Sequence, residues 1–135
     1  MSSYVPELSL SDNARSCFGK TIEQMWTNDG ELFIDFSDGS KVLFSVHDFC
    51  GHQYIDSEGD DLSVYVGAVL LNAILCTGGS HDVGFYRSDA WCFLNVITSA
   101  GTQSLTCRSD GGYGIGSVDM VLFEDDADAF PDTSF

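Results

Sequence analysis

Thr21-Ile22-Glu23-Gln24-Met25-Trp26-Thr27-Asn28-Asp29-Gly30-Glu31-Leu32-Phe33-Ile34-Asp35-Phe36-Ser37-Asp38-Gly39-Ser40-Lys41-Val42-Leu43-Phe44-Ser45-Val46-His47 is the stretch that decides the fold class. Asp29-Gly30 and Asp38-Gly39 divide it into three short runs. An Asp-Gly pair tolerates the positive φ that a two-residue hairpin turn requires. In the middle run Leu32, Ile34 and Phe36 alternate with Glu31, Phe33 and Asp35. Side chains two apart share one face of a strand, so the run is half-buried β. Residues 20–47 therefore predict a three-stranded antiparallel meander.

The pattern continues downstream. His47-Asp48-Phe49-Cys50-Gly51-His52 reads as a loop, and Gln53-Tyr54-Ile55-Asp56 as a short strand. Asp60 or Asp61 is placed to cap a brief helix over Leu62-Ser63-Val64-Tyr65-Val66, which Gly67 ends. Val69-Leu70-Leu71-Asn72-Ala73-Ile74-Leu75-Cys76 is continuously apolar, and periodicity alone fits strand or helix. Thr77-Gly78-Gly79-Ser80-His81-Asp82 reads as a flexible loop. Residues 90–98, 102–108 and 117–123 read as strands by composition. Residues 110–116 form a glycine-rich connection between the last two. Residues 1–18 read as a leader, in which Ser11 or Asp12 caps a helical turn through Asn13, Ala14 and Arg15. Residues 19–124 make the single domain, and residues 125–135 an acidic tail. The expected fold is α+β and mostly β: a curled antiparallel sheet with one short helix.

Composition restricts the function. The chain has 135 residues, 44% of them hydrophobic, enough for one domain with its own core. Five basic residues face 21 acidic ones, for a net charge of −16. That field repels nucleic acid and anionic membrane and attracts basic surfaces. No run of eighteen apolar residues predicts a membrane span, and the first residues lack the basic start and apolar stretch of a secretory signal. A cytoplasmic location is the expectation. The five cysteines are odd in number and show no Cys-x-x-Cys pair, so they read as small buried hydrophobes.

Several constellations have the residue types of chemistry. His47, Asp48, Cys50 and His52 are the densest set of possible metal ligands, with His47, Cys50 and His52 as the zinc-type members and His81 or Cys76 to complete them, although His-x2-Cys-x-His is not a standard zinc spacing. Asp56, Glu58, Asp60 and Asp61 begin like a calcium loop. Counting from Asp56, the sixth and twelfth positions are Asp61 and Gly67, where that motif needs Gly and Glu. Gly112, Tyr113 and Gly114 lie in a loop whose bare amides suit an anion, with Arg87, Arg108 or Lys20 as candidate contacts. No helix with a lysine follows, which excludes a P-loop. Cys50 near His47 or His52 is the one local candidate for nucleophilic chemistry, and nothing marks an oxyanion hole. No enzyme activity and no cofactor are expected.

The carboxylates are the remaining feature. Asp29, Glu31 and Asp35, with Phe33 among them, are placed opposite the core face of the meander. Asp56, Glu58, Asp60 and Asp61 add an acidic turn, and Glu124, Asp125, Asp126 and Asp128 an acidic tail. Such a face suits a Lys/Arg cleft that ordinarily holds nucleic acid, and exposed aromatics such as Phe33 or Phe130 would anchor it.

Gly19-Lys20-Thr21-Ile22, Phe36-Ser37-Asp38-Gly39-Ser40, Phe49-Cys50, Tyr54-Ile55-Asp56, Gly59-Asp60-Asp61-Leu62 with Gly67, Trp91-Cys92-Phe93 and Ser117-Val118-Asp119 follow one another along residues 18–124. In that order the chain resembles a small family of unknown function common in tailed phages and prophages. The resemblance implies that residues 69–76 are a strand. The family's paired cysteines are replaced by Phe49 and Cys50, its acidic neighbour by Gly51, and its Tyr-Tyr loop by Gly112-Tyr113-Gly114. A phage accessory protein is implied, without a known reaction. The expected function is an acidic inhibitor of a basic, nucleic-acid-handling host protein, such as a defence effector. A sponge for a nucleotide signal and a structural or assembly protein of a phage are the alternatives, and a dimer is compatible with any of them.

Overall fold

The computed structural model describes residues 8–10, 15–48 and 50–123. The strands are β1 (Leu8–Leu10), β2 (Ile22–Asn28), β3 (Glu31–Phe36), β4 (Lys41–His47), β5 (His52–Asp56), β6 (Leu70–Gly84), β7 (Arg87–Thr98), β8 (Gly101–Gly112) and β9 (Ser117–Phe123). They divide between two sheets, in the orders β1-β9-β4-β3-β2 and β5-β8-β7-β6. Every pairing is antiparallel except β1 with β9. The molecule is thus mostly antiparallel β, as the alternation predicts.

The meander of β2, β3 and β4 forms at the two Asp-Gly turns. Asp29 and Gly30 both have positive φ, at 53° and 78°. A side chain at Gly30 would meet Tyr54 Cβ at 2.8 Å, and Ile55 N donates to Gly30 O. The turn therefore abuts β5 and ties the two sheets together there. At the other end Ile22 N donates to Ala68 O and Gly67 N to Ile22 O, so β2 is stitched to the chain entering β6.

The alternating residues of both sheets meet in one core. Leu32, Ile34, Phe36, Val42 and Phe44 come from the first sheet, and Cys92, Leu94, Val96, Leu105 and Cys107 from the second. Two sheets each apolar on one face bury those faces against one another. Cys17 is fully buried in the same cluster. Part of the stretch read as a leader thus belongs to the fold, as Leu8–Leu10 does through β9. The turn capped by Ser11 or Asp12 and the acidic tail lie outside the described residues.

The short helix is a single 3-10 turn, Leu62–Tyr65. Asp61 caps it by accepting from Ser63 N at 3.0 Å, and Gly67 follows with φ of 91°. Asp60 instead accepts from Gln103 Nε2 at 2.8 Å. The expected flexible loop at residues 77–82 is corrected: it is the outer half of β6. Gly78 and Gly79 serve the strand rather than break it. A side chain at Gly78 would overlap the Trp91 backbone, and one at Gly79 would meet the Trp91 ring at 2.9 Å. A register shift between Cys76 and Gly79 absorbs the irregularity as a bulge. Likewise β8 runs to Gly112, which shortens the glycine-rich connection. No described helix is long and apolar enough to cross a membrane.

Candidate functional site

The longest strand, β6, and its partner β7 form a hairpin that closes through Phe85 and Tyr86. Gly84 lies opposite Arg87, so these two residues are the whole loop. Both have positive φ, 55° and 63°, as the central positions of a type I′ turn require. Asn and Gly ordinarily fill those positions, because a Cβ crowds the backbone there. Two aromatic residues hold this turn instead. Their side chains are 95% and 98% exposed, and Val83 beside them is 48% exposed. His81, Asp82 and Arg87 are exposed around them. An aromatic pair is thus displayed at the end of the β6–β7 ladder with charge close by.

The described acidic residues lie on several elements, and the Asp29-Gly30 turn sits against β5, which ends at Asp56. On the outer face of the first sheet Glu31, Phe33 and Asp35 do lie opposite the core, but Phe33 is not an exposed anchor. It is 1% exposed and stacks on Trp26 across the β2–β3 pair, with ring centroids 5.3 Å apart. Two bulky rings opposite each other on neighbouring strands cover one another, which alternation within one strand does not reveal. Asp35 is paired with Lys41 at 3.3 Å. Glu31 lies close to Asp29; burial, and then that second carboxylate, push its pKa up. Asp56 accepts from Glu58 N, and Glu58 binds Arg108 at 3.0 Å. Asp82 and Asp89 lie on the long hairpin, and Asp119 on β9. Glu124, Asp125, Asp126 and Asp128, with Phe130, lie outside the described residues.

The glycine-rich loop does form a cradle for an anion, and the chain fills it with its own. Asp48 Oδ2 accepts from Ser109 Oγ at 2.5 Å and from Tyr113 N at 3.2 Å. Asp89 Oδ1 accepts from Gly111 N at 2.8 Å. A side chain at Gly112 would overlap Asp48, so the glycine is there for the carboxylate. Gly114 follows with φ of 112°. Arg108 is held by Glu58, while Arg87 stands at the hairpin tip. Arg108 pairs with Trp91, about 13 Å along the strand from Arg87 at a rise of about 3.3 Å per residue. Ser88 pairs with Gly112, so Arg87 stands beside the glycine-rich loop while Arg108 lies farther along the strand.

The histidines and Cys50 are likewise separate. His47 Nε2 lies 2.8 Å from Asp119 Oδ2 and 3.2 Å from Ser45 Oγ. His52 packs against the Tyr54 ring, and Cys50 Sγ faces Gly111 O at 3.9 Å. Among the described residues no three His, Cys, Asp or Glu side chains are grouped to hold a metal. No family model, curated protein or solved structure matches the chain.

The tip was the feature that composition concealed. Gly84-Phe85-Tyr86-Arg87 contains no turn-forming pair, and only the length of the flanking strands forces a turn there. Two adjacent aromatics between a glycine and an arginine, after the polar run Ser80-His81-Asp82, are the one trace it leaves.

Proposed function

We propose that the chain is a non-catalytic binding protein that inserts Phe85 and Tyr86 into an apolar cleft of a basic protein. The observation that carries this reading is the turn itself. A residue held in the left-handed region without being glycine costs on the order of 1–3 kcal/mol, and such outliers cluster where function retains them. Here two occur together, and both side chains face solvent. Aromatic anchors of this kind supply most of the affinity of an interface. The −16 charge supplies the other half, because it speeds encounter with a positive surface and selects the partner more than it tightens the complex.

A basic cleft is the usual property of a nucleic-acid-handling protein. The resemblance to the phage family makes a host protein of that kind the expected partner, with the chain as its inhibitor. The nucleotide-sponge alternative loses its cradle to Asp48.

The test is affinity capture from host lysate at low salt with the wild-type chain and a Phe85→Ser, Tyr86→Ser variant. A basic protein should be retained by the wild type and released by salt. The variant should bind it at least about 30-fold more weakly, the equivalent of a hot spot of about 2 kcal/mol. Equal retention by both chains overturns the reading.

A further inference from the structure

We propose that β6 is a dimerisation edge, pairing antiparallel with β6 of a second copy about Ile74 to make one sheet continuous across the dimer. The strand ends the order β5-β8-β7-β6, so one of its sides has no strand partner among the described residues. Gly19 N donates to Leu70 O and Leu70 N to Lys20 O, which covers the first residue. From Leu71 onward no backbone bond from another described segment reaches this side. Asn72 Oδ1 accepts from Ala73 N at 2.8 Å, a local bond that an incoming strand would replace.

An uncovered edge of this length templates pairing, and proteins ordinarily guard such edges with charge or proline. Its first eleven residues, Leu70 to Ser80, carry neither, and Asp82 stands only near its far end. Residues 62–80 contain no Asp, Glu, Lys, Arg, His or Pro, in a chain whose net charge is −16. Leu71 and Ile74 are 49% and 43% exposed. Bulges between Leu70 and Asn72 and between Cys76 and Gly79 leave residues 72–76 as a regular ladder against β7. Ile74 is the centre of that ladder.

Charge selects a second copy as the occupant. Two chains this acidic repel over most of their surfaces and can approach where neither carries charge. Antiparallel self-pairing sets the neutral run against itself. It also carries Asp82 of each copy toward the Lys20 end of the other. A two-fold axis then needs only one patch, facing its own image.

Sedimentation velocity of the full chain tests this, with Ile74→Lys as the disrupting variant and Val64→Lys as the control. Val64 is 64% exposed and lies in the 3-10 turn, outside the ladder of residues 72–76. The wild type and Val64→Lys should be dimers. Ile74→Lys places two ammonium groups opposite each other and should weaken the dimer at least about 100-fold with its circular dichroism unchanged. Should that variant fail to fold, Ile74→Thr keeps the β-branch and should still weaken it. Raising salt from about 0.1 to about 1 M, which shortens the Debye length from about 10 to about 3 Å, should strengthen the dimer. The same change should release a basic partner, so the two proposals fail separately. A wild type monomeric at every concentration and salt overturns the dimer, as does an Ile74→Lys or Ile74→Thr chain that dimerises like the wild type. A monomer whose outward-facing amides within residues 72–76, those not bonded to β7, resist hydrogen exchange also overturns it, since another segment would then cover the edge.

Discussion

Phe85 and Tyr86 occupy the two positive-φ positions of a single two-residue turn, the same backbone geometry that Asp29 and Gly30 adopt at the tip of β2 and β3. One turn has the residues its geometry favours and the other does not. The difference separates stability from recognition. Phe85→Asn with Tyr86→Gly should stabilise the isolated protein by about 1–2 kcal/mol through relief of backbone strain. A thermal melt should show a midpoint raised by several degrees, while affinity for the partner falls. A variant that gains no stability would show that the aromatic pair makes compensating contacts of its own.

Asp48 plugs the glycine-rich loop from inside. Its oxygen serves Ser109, which is fully buried, and the Tyr113 amide. Asp48→Ala removes the acceptor and leaves the Ser109 hydroxyl without its partner. A buried polar group so stranded costs about 1–3 kcal/mol. Chemical denaturation should show that loss, and Asp48→Ala combined with Ser109→Ala should recover part of it. Additive losses in the double variant would mean that the two groups do not act as a pair.

Two carboxylates of the meander respond to acid with opposite sign. Asp38 accepts from the Ser40 hydroxyl at 2.6 Å and pairs with Lys20 at 2.9 Å; these contacts, Ser40 first, lower its pKa from 3.8 to about 2. A depressed carboxylate contributes stability above its unfolded pKa and loses it as pH falls through the folded one. Asp38→Asn should therefore be less stable than wild type at neutral pH, with the gap closing between pH 3.8 and about 2. Because the side chain is half exposed, the gap should stay under about 1 kcal/mol. Glu31 is raised above 4.5 by burial and then by Asp29. Its contribution is present below 4.5 and disappears as pH rises through the higher folded value. Glu31→Gln should thus be more stable than wild type at neutral pH, with the advantage fading in acid. Melting curves of both variants across the acid range check the two signs together.

The parts of the fold that follow local rules were legible in the sequence. Asp-Gly turns, strict alternation in β3 and the Asp61 cap each depend on residues within a few positions of one another. What failed to show depends on distant partners. Gly78 and Gly79 have a loop's composition, yet they are small because Trp91 crosses them from the next strand. Asp48 reads as a loop residue, while the hydroxyl and amide it serves lie 61 and 65 positions further on. The −16 charge counts carboxylates correctly and says nothing of where they go; Lys41 and Arg108 face Asp35 and Glu58, pairs that alternation does not reveal.

Phe33 carries the same lesson into a measurement. Alternation places it on the solvent side of β3, and Trp26 then covers it, with ring planes only 11° apart. If the stack is part of the packed structure, Phe33→Ala should destabilise the protein by about 3 kcal/mol, at the low end for a buried aromatic, because the cavity opens toward solvent. An exposed phenylalanine would lose almost nothing. Truncation should also expose the Trp26 indole and shift tryptophan emission to longer wavelength. Trp91→Phe leaves Trp26 as the one reporter, since the chain has two tryptophans. In that background, an unchanged emission maximum together with an unchanged midpoint of unfolding would return Phe33 to the surface, where it could again serve as an anchor for a partner.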